Sequence, residues 1–203
     1  MTADLESQIE TLERQRYELG EKLAALRKRH KGREVPDYAF RTLEGETSLH
    51  ALFEGKNLLF AIHNMGQACR YCTLWADGLN GFLPHLEDRF AVVLLSKDKP
   101  ADQRRMANAR GWRFRLASHG GGRYIREQSV IPGAKNMPGI VCYQRRGKAV
   151  WRKNAAVFGP GDAFCSFWDV LALAGHGPGT ITPQYSYWQR PGKMEDGGEN
   201  LRG

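Results

Sequence analysis

A chain of 203 residues, 41% hydrophobic and 26% charged, has the size and composition of one globular core with an appendage at most, which excludes a disordered or fibrous protein and disfavours a second full domain. The net charge of +8 is dispersed in short clusters such as Arg27 to Arg33, Arg104 with Arg105, and Arg152 with Lys153, and without a zinc finger, RNP-like run or basic zipper no nucleic acid is expected as a partner. No apolar stretch approaches the ~20 residues of a membrane span, and the start lacks a secretory signal pattern; with only four cysteines, too few for a disulfide framework, a cytoplasmic protein is expected.

In chain order, Leu5, Ile9, Leu12, Leu19, Leu23 and Leu26 recur at steps of three and four, with Arg16 at the missed position. This is a helix of about three heptads with a coiled-coil seam. It either pairs with a second copy through residues 5–26 or packs on its own domain. Gly32 and Pro36 close it. Tyr38 to Leu43 reads as a strand, Glu44-Gly45-Glu46 as a turn, and Ser48 as the cap of a short helix through Phe53. Asn57 to His63 is an apolar run suited to a strand buried on both faces.

After a loop at Gly66 comes Cys69-Arg70-Tyr71-Cys72, followed by a helical stretch to about Leu86. Phe90 to Ser96 is a second buried strand, and Pro100 opens a helix stopped by Gly111. Strand, helix, strand, helix implies parallel pairing. Arg113 to Ala117 alternates like a strand, and the His119-Gly-Gly-Gly122 run is read as a flexible loop. Gly139 to Tyr143 and Lys148 to Trp151, joined by Arg145-Arg146-Gly147, read as a β-hairpin. Asp162 caps a last helix carrying Phe164, Trp168 and Leu171. Beyond about Gly175 the chain is rich in Gly and Pro, with Tyr185, Tyr187 and Trp188 expected to dock.

Two cysteines separated by two residues, where a buried strand gives way to a helix, can close a disulfide across one helical turn. The helix N-terminus is aimed at the first sulfur, and its free N–H groups and dipole favour thiolate. Cys69 is therefore the expected nucleophile with a depressed pKa, and Cys72 the resolving thiol. Arg70 adds positive charge beside Cys69, and Tyr71 adds bulk. His63, six residues before Cys69, either exchanges the proton of the resolving step or is a histidine hydrogen-bonded at a strand end. Zinc wants four ligands, and Cys142 and Cys165 lack close Cys or His neighbours in sequence; both are expected as buried thiols, and no metal or cofactor is expected.

The segment from Phe40 to Phe158 resembles the thioredoxin superfamily, with a layout similar to its peroxiredoxin-containing branch. The likeness rests on Phe40 to Phe60 as opening strand, turn, short helix and first core strand, and on Val92 to Asp102 as the next strand and crossover. It implies a thioredoxin-like α/β fold: a central mixed sheet flanked by helices, with an N-terminal helical extension. Met137-Pro138, before a core strand, matches the place where such folds carry a cis-proline facing the Cys pair. The resemblance thus implies that Pro138 is cis and that the backbone before it binds an extended substrate. More narrowly, the chain resembles an uncharacterised bacterial thioredoxin-like family of dithiol–disulfide oxidoreductases. Asn64-Met-Gly-Gln-Ala-Cys69 departs from the peroxidatic pattern, which has Pro and Thr or Ser before the reactive Cys.

The organisation expected is an amphipathic helix (1–33), a thioredoxin-like domain (34–174) and a Gly/Pro-rich tail (175–203). The function expected is that of a thiol–disulfide oxidoreductase acting on a protein or small-molecule disulfide, recharged by a thiol electron donor yet to be identified. Thiol peroxidase activity, or a non-catalytic binding and dimerisation module, are the alternatives.

Overall fold

The computed structural model describes residues 2–184, so the docking expected of Tyr185, Tyr187 and Trp188 falls outside the described residues. A helix, α1 (Thr2–Arg29), precedes the sheet; its Leu, Glu, Ala, Lys and Arg residues are strong helix formers, and Arg27, Lys28 and Arg29 complement the dipole at its C-terminal end. The strands are β1 (Arg33–Val35), β2 (Ala39–Thr42), β3 (Gly45–Ser48), β4 (Leu58–His63), β5 (Ala91–Ser96), β6 (Leu116–Ser118), β7 (Gly139–Arg146) and β8 (Ala149–Val157). Between and after them lie α2 (Arg70–Gly81), α3 (Leu83–Glu87), α4 (Pro100–Arg110), α5 (Arg123–Gln128) and α6 (Ser166–Leu173).

All eight strands join one mixed sheet in the order β1-β8-β7-β4-β5-β6-β2-β3. β4, β5 and β6 run parallel. The β7–β8 hairpin adds antiparallel to β4, and the β2–β3 hairpin adds antiparallel to β6. The central strands are buried on both faces, as their continuous apolar runs require. On one face Leu59, Ala61, Val93 and Leu95 pack with Phe40, Tyr124, Val141 and Tyr143. On the other, Ile62, Val92 and Leu94 pack with Trp75 and Leu79 of α2, Trp112, Phe158 and Trp168.

Several elements differ from the sequence expectation, each for a local reason. The stretch after the Cys pair breaks at Phe82, where Pro84 starts α3. Residues 33–35, where no strand was expected, form an edge strand on β8. Three residues without apolar alternation carry no strand signal of their own. The Gly120–Gly122 loop runs directly into α5, which the glycines masked. Asp162 does not cap α6: its carboxylate accepts the N–H groups of Gly159 (2.7 Å) and Phe164 (2.6 Å), and the helix begins only after Cys165.

The seam of α1 does not pack on its own domain. Leu5, Ile9, Leu12, Leu19, Leu23 and Leu26 are all 45–64% exposed. The helix is tethered at its C-terminal end, where Lys153 Nζ donates to the carbonyl of His30 (3.0 Å) and Asn154 Nδ2 to that of Arg27 (3.2 Å). Arg16, at the break in the seam, pairs with Asp169 of α6 at 2.6 Å. No helix among the described residues is long and apolar enough to cross a membrane.

Gly139 starts β7 opposite His63. A Cβ there would collide with the carbonyl oxygen of Ala156 and lie 2.8 Å from a Val130 methyl. Gly139→Ala should therefore destabilise the fold by about 1–3 kcal/mol, the usual cost of overpacking, measured as a lower urea midpoint at unchanged slope.

Candidate functional site: the Cys69–Cys72 pair

The site is built where β4 runs out. Asn64 N–H donates to the carbonyl of Leu95 (2.8 Å), adding one more rung beside β5. The Asn64 side chain then turns the chain: its Oδ1 accepts Gly66 N–H (2.8 Å) and its Nδ2 donates to the carbonyl of Cys72 (3.4 Å). Gly66 has φ +111, and a Cβ would sit 2.8 Å from both carboxylate oxygens of Asp98, so glycine is required twice over. Asp98 accepts the next amide, Gln67 N–H, at 2.7 Å. The loop between β5 and α4 thus holds the loop that carries the cysteines.

Cys69 is the N-cap of α2, in extended conformation. Its Sγ accepts the N–H of Cys72 at 3.1 Å, and its carbonyl accepts both the N–H and the Oγ1–H of Thr73, each at 3.1 Å. The sulfur occupies the place that a Ser or Asp oxygen takes in an ordinary cap. Cys69 and Cys72 are joined as a disulfide with Cα atoms 5.2 Å apart, within the normal span for such a bond. Cys69 is half-buried, whereas Cys72 is only 3% exposed, its Sγ receiving Met65 N–H at 3.4 Å.

Arg70 is exposed beside Cys69, and its Nη1 donates to Gln184 Oε1 at 3.2 Å. Tyr71 is half-buried, its ring 6.1 Å from that of Trp75 and 6.4 Å from that of Trp168. The loop that carries Met137 and Pro138 is tied to the segment before the cysteines, Asn136 Nδ2 donating to the carbonyl of Met65 at 3.2 Å. Pro138 is buried, and its carbonyl accepts Phe158 N–H at 3.0 Å. The cis bond implied by the family resemblance is not present, every described peptide bond being trans. An X–Pro bond intrinsically prefers trans by about 0.5–1 kcal/mol, and the contacts around Pro138 are made in that form.

Of its two expected readings His63 takes the second, a histidine hydrogen-bonded at the strand end, on the face away from the helix that carries the cysteines. Side chains alternate along a strand, so His63 shares the face of Leu59 and Ala61, opposite α2. Its Nε2 lies 2.7 Å from Tyr124 Oη, and Tyr143 Oη donates to Tyr124 Oη at 3.1 Å. Gln128 Nε2 extends this buried polar chain to Tyr38 Oη (2.7 Å), which donates to Glu127 (2.7 Å). None of these partners was visible in the sequence, because they lie dozens of residues apart and meet only across the sheet. Cys142 on β7 and Cys165 before α6 are free thiols. Burial pushes Cys142 up to about 11 and raises Cys165 as well.

A mixed sheet whose central parallel strand leads into a helix N-capped by a Cys-x-x-Cys disulfide defines a thioredoxin-like protein. Within that class, residues 6–193 match the family model described as bacterial protein of unknown function (DUF899), and the chain belongs to that family. Among solved structures, a candidate thiol:disulfide interchange protein DsbE from Chlorobium tepidum is 22% identical; the match covers 71% of this chain and 96% of that one, with a TM-score of 0.52. Peroxiredoxin Q from Xanthomonas campestris is 18% identical over 69% of this chain and 92% of its own, with a TM-score of 0.50. These likenesses are ones of fold. In the comparison with curated proteins, no sequence matches.

The buried histidines make stability depend on pH. Burial, then the neighbouring His119 and Arg152, lowers His63 from 6.5 to about 3, and burial lowers His119 from 6.5 to about 4. Below pH 6.5 the unfolded chain takes up protons that the folded protein refuses, so stability falls with pH until each folded value is reached. Urea unfolding between pH 7 and pH 5 should show a loss approaching about 1.4 kcal/mol per pH unit for each histidine, with one histidine's share absent in His119→Asn.

Proposed function

We propose that this protein is a thiol–disulfide oxidoreductase in which Cys69 is the nucleophile and Cys72 the resolving thiol. The observation that carries the reading is the asymmetry of the pair. Cys69 sits half-buried at the N-terminus of α2 with its sulfur accepting Cys72 N–H, while Cys72 lies one turn deeper and buried. Backbone N–H groups and the helix dipole stabilise a thiolate at Cys69 once the disulfide is opened.

In the forward direction the Cys69 thiolate attacks one sulfur of a substrate disulfide, forming a mixed disulfide and releasing the other half as a thiolate. Deprotonated Cys72 then attacks Cys69 Sγ, closing the internal disulfide and releasing the second half. Two electrons pass from the dithiol to the substrate, and an external thiol donor returns them. Exposed Arg70 and half-buried Tyr71 adjoin Cys69 in the chain, and in this reading an extended disulfide-bearing segment of a protein or a small molecule lies between them and the backbone before Pro138. A cytoplasmic setting fits two further thiols, Cys142 and Cys165, that remain unpaired. Peroxide reduction is the second reading, set back by the lack of Pro and Thr before Cys69.

The trapping of intermediates tests the assignment of roles. In Cys72→Ser the mixed disulfide at Cys69 should persist and be recovered by mass spectrometry with a model disulfide, while Cys69→Ser should lose disulfide exchange by at least about a hundredfold. Equal trapping at either cysteine would overturn the order.

The exposed seam of α1 is read as a contact with a second copy of this chain, with the catalytic domain beyond it. Leu occupies every d position, and Arg16 stands at an a position, a common device for fixing register. Its charge is already matched by Asp169. Asp4, Glu6, Glu10 and Glu13 lie in the N-terminal half of α1, and Lys22, Arg27, Lys28 and Arg29 in the C-terminal half. Antiparallel pairing therefore sets the acidic half of each helix against the basic half of the other. Sedimentation should show a dimer for the native chain and a monomer for Leu12→Glu/Leu19→Glu, with disulfide exchange retained; a native monomer at roughly 100 µM would rule this contact out.

A further inference from the structure

A second concave region lies outside the redox centre, between the β2–β3 hairpin and the carboxyl ends of β5 and β6. Its volume is about 550 Å³, inside the range of roughly 300–1,000 Å³ typical of small-molecule sites. The carboxyl ends of parallel strands are where open α/β sheets hold ligands. Cys69 and Cys72 do not line this cleft.

The charge of the cleft is one-sided. Arg41 of β2, which pairs in register with Ser118 of β6, and Lys97 and Lys99 of the β5–α4 loop face the single carboxylate of Glu46. Lys99 is also the N-cap of α4, an 11-residue helix whose N-terminus has no side-chain cap. Its partial positive charge adds to that of the side chains. Asp98, between the two lysines, is not among the residues that line the cleft; its carboxylate accepts the amide of Gln67 on the side of the cysteine-bearing loop.

The independent sign of a ligand is His119, which lines the same cleft and is only 6% exposed. Its Nδ1 accepts Gly121 N–H at 3.1 Å, so the neutral imidazole must carry its proton on Nε2. That buried Nε2 has no hydrogen-bond partner among the described residues. A buried donor without an acceptor is unusual in native proteins; Trp75 Nε1 and Trp168 Nε1 share that state within the aromatic layer, whereas His119 borders an open cleft, where an oxyanion would supply the acceptor.

We propose that this cleft binds the carboxylate or phosphate group of a small anionic molecule, with Arg41, Lys97 and Lys99 supplying charge and His119 Nε2–H supplying a buried donor. Glu46 keeps the lining from being uniformly basic and opposes ligands with a second acidic group on its side.

Calorimetric titration of the full-length protein with inorganic phosphate and, separately, with the monocarboxylate acetate tests the site, and distinguishes the two oxyanions. Saturable binding of at least one probe below roughly 10 mM is expected at low salt, weakened about tenfold or more in Lys97→Ala/Lys99→Ala. His119→Asn should weaken it as well, and Lys31→Ala/Lys148→Ala, which removes the same charge from exposed positions outside the cleft, should leave it unchanged. Absence of saturable binding by both probes, or equal weakening by both lysine pairs, would overturn the proposal. The readout is binding alone, so failure here leaves the roles of Cys69 and Cys72 untouched.

Discussion

Burial of β4 on both faces is the constraint from which the site follows. A strand packed between two apolar layers must satisfy its backbone within the sheet, and β4 does so against β5 on one side and β7 on the other. Once that ladder ends, at His63 and Asn64, the chain has to leave the sheet at one defined point. Asn64, Gly66 and Asp98 make the exit through hydrogen bonds and close packing. The path out of the sheet is thereby set by the end of β4 and by the β5–α4 loop, and the first sulfur arrives at the N-terminus of α2.

The two faces of the same strand have taken up different chemistry. On the side of α2 the packing is aromatic, with Tyr71, Trp75, Phe158 and Trp168 gathered behind the cysteines. On the reverse side, hydroxyl, amide and imidazole groups form a buried chain through His63, Tyr124, Tyr143, Gln128 and Tyr38. A buried hydroxyl left without a partner costs about 1–3 kcal/mol, so these aromatic residues are stabilising only while their polar ends are matched. This gives the reverse face a fixed set of partners, while the redox face keeps a half-exposed sulfur at its rim.

The β5–α4 loop serves both ends of this arrangement. Asp98 points to the cysteine-bearing loop, and the lysines on either side of it point their charge to the cleft at the other flank of the sheet. Alternation of neighbouring side chains across a short loop is enough to divide one segment between two sites.

The sequence by itself determined the elements and the pair. Continuous apolar runs marked β4 and β5, the three-four spacing marked α1, and Cys69 and Cys72 at a strand-to-helix junction marked the redox centre. These are signals local to one segment, carried by periodicity, capping and spacing. Pro138 and Met137 were singled out by family likeness; the structure ties their loop to the segment before the pair through Asn136 and gives Pro138 a trans bond. The facing of His63 was decided only by tertiary structure, since at a strand end a single step of register chooses between the two faces. The same holds for β1, whose three residues become a strand by pairing with β8, and for Asp162, whose carboxylate found a turn to hold instead of a helix to cap. Tyr124, Tyr143, Gln128 and His119 could not be read as a group, because what unites them is the sheet that folds between them.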